Sequence, residues 1–292
     1  NMWLAAATQA NVATLRERGV HVIDPESGAL GSGDSGVGRL PAPEEIARRA
    51  LDVLDRAGEL EPAPVLAGRT VVVTAGGTRE PIDPVRFLGN KSSGRQGLAV
   101  AAAAARAGAS VRVIAANIDE SVMAALPSGV EVTRVGSACE MREATMAQVI
   151  GADALVMTAA VADFRPEAAQ ASKMKKDPTK TDAPTLRLVR NPDILSEVGH
   201  SDTRPALVVG FAAETGTDEE ILANGADKAA RKGADYIALN RVGAGVGFGD
   251  VPNDIRLLDV GGQIVGRYIG SKDEVAAGLV AQMAAFLDNL ER

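Results

Sequence analysis

Thr74-Ala75-Gly76-Gly77-Thr78 closes an apolar run, and paired glycines at such a point let backbone amides approach a phosphate closely. The spacing is not G-x-G-x-x-G, and Arg79-Glu80-Pro81-Ile82-Asp83-Pro84 extends the loop where a helix would be expected. A tight turn without ligand explains the pair nearly as well. The stretch Arg86–Gly97 (RFLGNKSSGRQG) carries a stronger anion signal, because it leads into an alanine-rich helix. Serines and glycines there offer free N–H groups at the positive end of the helix dipole, and Arg86, Lys91 and Arg95 add charge. Capping by Ser92 or Ser93 accounts for one serine, but not for the density of Arg, Asn, Lys and Gly around it.

Four further stretches follow apolar runs or open helices. Ala159-Ala160-Val161-Ala162-Asp163-Phe164 puts an acid just beyond a strand, where it can hold a ribose hydroxyl or a metal; a turn or N-cap aspartate is an equal alternative. Ser172-Lys173-Met174-Lys175-Lys176 lies in residues 165–190, which hold seven basic and three acidic side chains in a chain of net charge −7. A lysine run is usually a solvated loop; the local reversal of sign favours attraction of a polyphosphate. Asn191-Pro192-Asp193-Ile194-Leu195 opens a helix, and Gly210-Phe211-Ala212-Ala213-Glu214 follows an apolar strand. Lys228 and Lys232 then share one helical face, where lysines also simply complement the dipole.

These stretches need a scaffold that gathers strand ends. Residues 70–74, 111–115, 131–135, 154–159, 185–190, 206–211 and 235–239 read as short strands, alternating with helices at 94–107, 138–150, 192–199 and 218–232. That alternation predicts a doubly wound, Rossmann-like α/β fold with a mostly parallel sheet from residue 64 to 292. Residues 254–269 instead show two apolar runs flanking Gly261-Gly262, a β-hairpin, and a closing helix runs from Asp273 to about Leu290. Before residue 64, helices are expected at 8–18 and 43–57 and a short strand at 20–23. Residues 28–43, with five glycines and two prolines and no period, read as a loop or linker.

Composition narrows the chemistry. The 292 residues are long enough for a substantial core, built with only 3% aromatic residues. A single cysteine, Cys139, excludes an intramolecular disulfide framework and a multi-cysteine zinc site, and fits a reducing cytoplasm. Two histidines, His21 and His200, leave no His-rich metal centre. The acidic balance argues against a general nucleic-acid binder, and no apolar run approaches the length of a membrane span.

Taken in order, TAGGTREPIDPVRFLGNKSSGRQG, AAVADF, SKMKK, NPDIL, GFAAET and Lys228-x-x-x-Lys232 resemble the phosphopantothenoylcysteine synthetase family. The form most similar is the one fused in bacteria to phosphopantothenoylcysteine decarboxylase. Residues 64–292 carry the resemblance; residues 1–63 look like the tail of the decarboxylase half plus a linker, without that half's flavin-binding sheet or its catalytic His and Cys. FMN would belong to that missing half only. The resemblance implies a CTP-dependent ligation in coenzyme A synthesis. The carboxylate of 4′-phosphopantothenate attacks the α-phosphate of CTP, giving an acyl-cytidylate and pyrophosphate; the amine of L-cysteine then displaces CMP. Carried over residue by residue, it implies nucleotide contacts at Ala159, Ala160, Asp163, Lys173, Pro192, Asp193, Ile194, Leu195, Phe211, Lys228 and Lys232, and chemistry at Arg86, Asn90 and Lys173. Mg²⁺ accompanies the nucleotide, with protein ligands that the sequence leaves unknown. The family often differs at Lys91 and Gln96. It also implies a cytoplasmic homodimer, larger when fused, with residues 254–269 as the candidate dimerisation arm.

Two other readings compete. An NAD(P)-dependent oxidoreductase shares the fold class, but needs an acid about 20 residues past a glycine turn and a proton-relay Tyr or His; the only tyrosines are Tyr236, inside an apolar run, and Tyr268. A non-catalytic nucleotide sensor would have no need of Asn90 and Lys173, and both are present.

Overall fold

The structure is a computed structural model that describes residues 2–29, 35–58, 64–175, 184–214, 217–241 and 253–290. It divides into two compact units, Asn1–Glu61 and Pro62–Arg292.

The first unit holds α1 (Ala6–Glu17), β1 (Glu26–Ala29), β2 (Ser35–Arg39) and α2 (Pro43–Gly58). Both expected helices form. The expected strand at 20–23 does not, and the glycine-rich stretch read as a loop instead supplies most of an antiparallel pair, from Glu26↔Arg39 to Ala29↔Ser35. Its glycines leave no alternation of apolar side chains to read, so pairing rests on backbone hydrogen bonds. In α2, the Arg48 and then the Arg49 guanidinium draw the Glu45 carboxyl down to about 2.

The second unit begins with β3 (Thr70–Gly76), β4 (Arg79–Asp83), β5 (Arg86–Gly89), α3 (Arg95–Arg106), β6 (Ser110–Ala116), α4 (Glu120–Met123), β7 (Glu131–Val135), α5 (Ala138–Gln148) and β8 (Ala154–Met157). It continues through β9 (Phe164–Pro166), β10 (Leu188–Arg190), α6 (Ile194–Gly199), β11 (Leu207–Glu214), α7 (Asp218–Lys232), β12 (Tyr236–Arg241), β13 (Asn253–Asp259), β14 (Ile264–Gly270) and α8 (Lys272–Leu290). One sheet has the order β14-β13-β12-β11-β8-β3-β6-β7. From β12 to β7 all neighbours are parallel, and β13 and β14 add an antiparallel edge. Counted from β3, the parallel strands follow the doubly wound Rossmann order, with the direction of winding reversing between β3 and β8.

Each central strand is apolar on both faces, as a covered parallel sheet requires. Val71 and Val73 join one core with Leu98 of α3 and Leu279 and Met283 of α8. Val72 joins the other with Met141 of α5, Val198 of α6 and Ile221 of α7. Tyr236 is buried in the first core, edge-on to Phe286 at 5.4 Å between ring centroids.

Several expectations are corrected by the pairing. Residues 79–84 are not an extended loop: β4 and β5 form a two-stranded hairpin, whose exposed edge accommodates Pro81. The strand expected at 185–190 shortens to β10 and pairs with β9 outside the main sheet. Leu188 and Arg190 share one face and both are exposed, so it lacks the two apolar faces that the sheet would bury. β11 runs on to Glu214, so Phe211–Glu214 belong to the strand itself. The N-cap of α3 is Gly94 in the left-handed region (φ 77), not a serine; Ser92 Oγ accepts the Gly94 amide at 3.3 Å. The expected hairpin forms as β13 and β14, but β13 pairs with β12, which makes it an edge of the central sheet and not a separate arm.

Candidate functional site

The glycine turn after β3 resolves to a tight turn. Gly76 adopts φ 88, and Asn117, itself left-handed at φ 49, donates its carboxamide to the carbonyls of Gly77 (2.9 Å) and Gly136 (2.8 Å). The Gly77 and Thr78 amides go to the carbonyls of Ala116 and Ala160. Thr78 Oγ1 accepts the Ala162 amide at 3.0 Å. With these amides spent on its neighbours, the turn holds residues 160–162 in place and cradles no phosphate.

Beyond the strand ends, across the point where winding reverses, lies a cavity of about 790 Å³. Its wall comprises residues 90–97 before and within the first turn of α3, residues 157–164 after β8, residues 190–195 at the start of α6, residues 211–213 of β11, and Lys228 and Lys232 of α7. The cavity thus gathers Asn90, Ala159, Ala160, Asp163, Pro192, Asp193, Ile194, Leu195, Phe211, Lys228 and Lys232. Asn90 Nδ2 donates to Val161 O at 3.1 Å, which ties the loop before α3 to the strand end opposite. Asp193 caps α6 by accepting the Ser196 amide, and its other oxygen meets Lys232 Nζ. Lys228 Nζ lies 3.2 Å from Glu214 Oε1. Two lysines are therefore held at the cavity by carboxylates, which an anionic ligand can replace.

Arg86 and Lys173 do not line this cavity. The Arg86 guanidinium pairs with Asp83 at the tip of the β4–β5 hairpin and lines a separate cleft of about 710 Å³. The Asp83 side chain is wholly buried and also accepts the amides of Val85 (3.0 Å), Arg86 (2.9 Å) and Met174 (3.2 Å). Arg86 Nη2 in turn donates to Met174 O at 3.0 Å. The Arg86 guanidinium, with those amides, holds the Asp83 carboxyl well below the usual carboxylate range. Lys173, exposed, is thereby fastened to the hairpin through its neighbour Met174; Lys176 lies outside the described residues.

Asn240, Asn253 and Lys272 line the cavity but escaped sequence reasoning as ligand contacts, whereas Gln96 lies within the stretch expected to bind an anion. Asn240 follows the apolar run of β12 and obeys the same strand-end rule that picked out Asp163. Asn253 reaches the cavity only because β13 returns antiparallel beside β12, which no local pattern announces.

Among the described residues no cluster of three or more His, Cys, Asp or Glu could cage a metal, and no helix is long and apolar enough to cross a membrane. Asp193 is committed to Lys232, which leaves Asp163 as the cavity carboxylate with no ion pair among the described residues. That donor set suits a magnesium ion carried in by nucleotide phosphates, which needs one carboxylate and not a protein cage. Neither Tyr236 nor Tyr268 lines the cavity, and among the described residues its lining includes no Tyr or His.

Fold and cavity define a Rossmann-like α/β protein with a ligand-sized cavity beyond its strand ends. The chain belongs to the family of the DNA/pantothenate metabolism flavoprotein C-terminal domain, whose model matches residues 66–287, and with it to the enzymes of coenzyme A biosynthesis. It is 46% identical over 292 residues to the coenzyme A biosynthesis bifunctional protein CoaBC of Mycobacterium bovis, covering 98% of this chain and 68% of the relative. To CoaBC of Vibrio parahaemolyticus it is 40% identical, covering 90% and 62%. The crystal structure of a CoaBC C-terminal domain superposes with a TM-score of 0.62 at 30% identity, covering 78% of this chain and 100% of that one. A Cab2 mutant in complex with phosphopantothenate-cysteine shares the fold with a TM-score of 0.58, at 16% identity and over 86% and 97% of the two chains.

Proposed function

We propose that residues 64–292 are a CTP-dependent phosphopantothenate–cysteine ligase and that residues 1–63 are the end of a decarboxylase half and its linker. The observation that carries this reading is the single cavity that brings Asn90, Asp163, Phe211, Lys228 and Lys232 together at the winding reversal. Bound there, the nucleotide takes the place of the Asp193 and Glu214 carboxylates on Lys232 and Lys228, and the first turn of α3 supplies N–H donors for its phosphates. Asp163 would hold a magnesium ion that arrives with CTP, and the ion would supply neutralisation of phosphate charge. In the first step a carboxylate oxygen of 4′-phosphopantothenate attacks the α-phosphorus and the bond to the β-phosphate oxygen breaks, releasing pyrophosphate. In the second, the amine of L-cysteine attacks the acyl carbon, loses a proton and expels CMP. Both steps call for positioning and charge stabilisation, which suits a cavity of lysines, asparagines and amides without a nucleophilic dyad.

Lys173 and Arg86 act in this reading from the hairpin side, on the pantothenate portion of the site. The protein works as a homodimer, and exposed Val85, Phe87, Phe164 and Leu188 on the two small hairpins give a second copy an apolar surface to cover. Pyrophosphate release tests the function directly. It is expected only when CTP and 4′-phosphopantothenate are present together, with CMP and phosphopantothenoylcysteine appearing by mass spectrometry once L-cysteine is added. Release from CTP alone overturns the ligase reading. A thermal shift with ATP equal to that with CTP overturns the cytidine preference.

A further inference from the structure

Four polar side chains without a part in the proposed mechanism, Gln96, Asn240, Asn253 and Lys272, gather on the α3–α8 side of the cavity. Ala238 and Tyr236 of β12 face that side, so the period of two sends Asn240 there as well; Ile255 and Leu257 fix the same side for Asn253. Asn253 is only 3% exposed, and its Nδ2 donates to Gln96 Oε1 at 2.7 Å. Gln96 Nε2 donates to Lys272 O, and Lys272 Nζ donates to Asn253 Oδ1, both at 3.4 Å. A closed polar brace therefore joins the first turn of α3, the first residue of β13 and the first residue of α8, with an ammonium group at the cavity wall. Nearby, Asn240 Oδ1 is buried with no hydrogen-bond partner among the described residues.

The helix does not require that ammonium group. Ser271 and Glu274 already cap α8, since the Ser271 amide donates to Glu274 Oε2 at 2.7 Å and Ser271 Oγ accepts the Glu274 amide at 3.2 Å. A cation at a helix N-terminus opposes the dipole. Lys272 also sits across from Gly94–Gly97, where α3 presents its own first-turn amides to the same space. An ammonium group, a helix N-terminus and carboxamide donors converging on one end of a cavity match a polyphosphate, while Pro192–Leu195 and Phe211, nucleotide contacts that the resemblance implies, occupy strand ends and the α6 side.

We propose that Lys272, oriented by Asn253 and Gln96, binds the β- and γ-phosphates of the nucleoside triphosphate and so receives the pyrophosphate leaving group. The proposal rests on the triphosphate-dependent reading above. The test compares CTP with CMP, which lacks those phosphates, by calorimetry on the full chain. Lys272→Ala is expected to weaken CTP roughly tenfold, the loss of a charge-assisted hydrogen bond, and to leave CMP unchanged. Lys272→Arg keeps most of the CTP affinity, and Asn253→Ala loses part of it, with CMP again unchanged. Melting temperatures measured alongside identify any variant that fails to fold, in which case Lys272→Gln replaces it. Unchanged CTP affinity, or equal loss for CTP and CMP, overturns the role of Lys272. A wild-type protein that binds ATP in place of CTP overturns only the cytidine reading, and ATP against AMP then tests Lys272 in the same way.

Discussion

The cavity over the sheet and the patch around Arg86 and Lys173 are held by different means. Around the cavity, backbone geometry is imposed by two apolar cores on either face of the sheet, and polar side chains inherit their positions from strand ends and helix starts. The patch on the β4–β5 hairpin has neither core beneath it. Its order depends on buried carboxylates: Asp83 collects the amides of Val85, Arg86 and Met174 and the Arg86 guanidinium, and Glu80 accepts the Ala138 amide. The first region is a rigid receptor, and the second is a fastening that positions a lysine. Chemistry that needs a preorganised pocket belongs to the first, and charge that has to be delivered belongs to the second.

The largest effect is expected inside the rigid region. Asn90 donates a carboxamide hydrogen today to Val161 O and, in the proposed second step, to the acyl oxygen as it becomes anionic. Asn90→Asp is expected to release pyrophosphate normally and to slow cysteine transfer by about 10²–10³, the cost of an oxyanion donor. Rapid-quench analysis of acyl-cytidylate and product measures both steps; normal transfer to cysteine would remove the role. Lys173→Ala comes next, with turnover falling on the order of 10² while CTP affinity changes little, because the lysine meets charge that grows in the transition state. Equal losses in binding and turnover would make the segment a general electrostatic attractor.

The smallest effect isolates the fastening itself. Asp83→Asn keeps Lys173 but weakens its anchor, so trypsin cleavage after Lys173 is expected to accelerate several-fold while the melting temperature and CTP binding hold. The pH dependence has a definite sign. The Asp83 carboxyl titrates below its unfolded value of about 3.9, so its contribution is complete above that value and disappears only as pH falls through the lower, folded value. Hydrogen-exchange protection of the Met174 amide, corrected for intrinsic rate, should therefore match between pH 4 and pH 7. Loss of protection between pH 7 and 5 would show that another group holds the segment.

How legible each region was follows from the same division. β3, β6, β8, β11 and β12 announce themselves as short apolar runs between amphipathic helices, because a parallel strand must bury both faces. The strand-end rule then points to residues 159–163 and Phe211 without any structure. The hairpins do not announce themselves: prolines at 81 and 84 mimic a loop, and Leu188-Val189-Arg190 pairs with β9 outside the main sheet with Leu188 exposed. Nor could spacing reveal that Arg86 and Lys173 meet through Asp83, since that junction spans 91 residues. Their part in the reading came from the motif as a whole. Asn253 was invisible for the opposite reason, since an asparagine opening a hairpin strand has an ordinary local explanation.

The alanine-rich interior of α3 carries a consequence for how this chain can vary. Residues 97–104 of that helix are all buried, and most are glycine or alanine. A methyl group added at Gly97 would meet Ala75 Cβ at 2.6 Å and collide with Thr158 Oγ1. The helix therefore rests on the sheet at a separation set by bulk, and bulk determines how far its first turn reaches over the strand ends. Among descendants of this sequence, serine, whose hydroxyl can turn back to its own helix, should replace these alanines more readily than valine or leucine. Selection on this surface sorts residues by volume before it sorts them by polarity, the reverse of the order that governs most protein interiors.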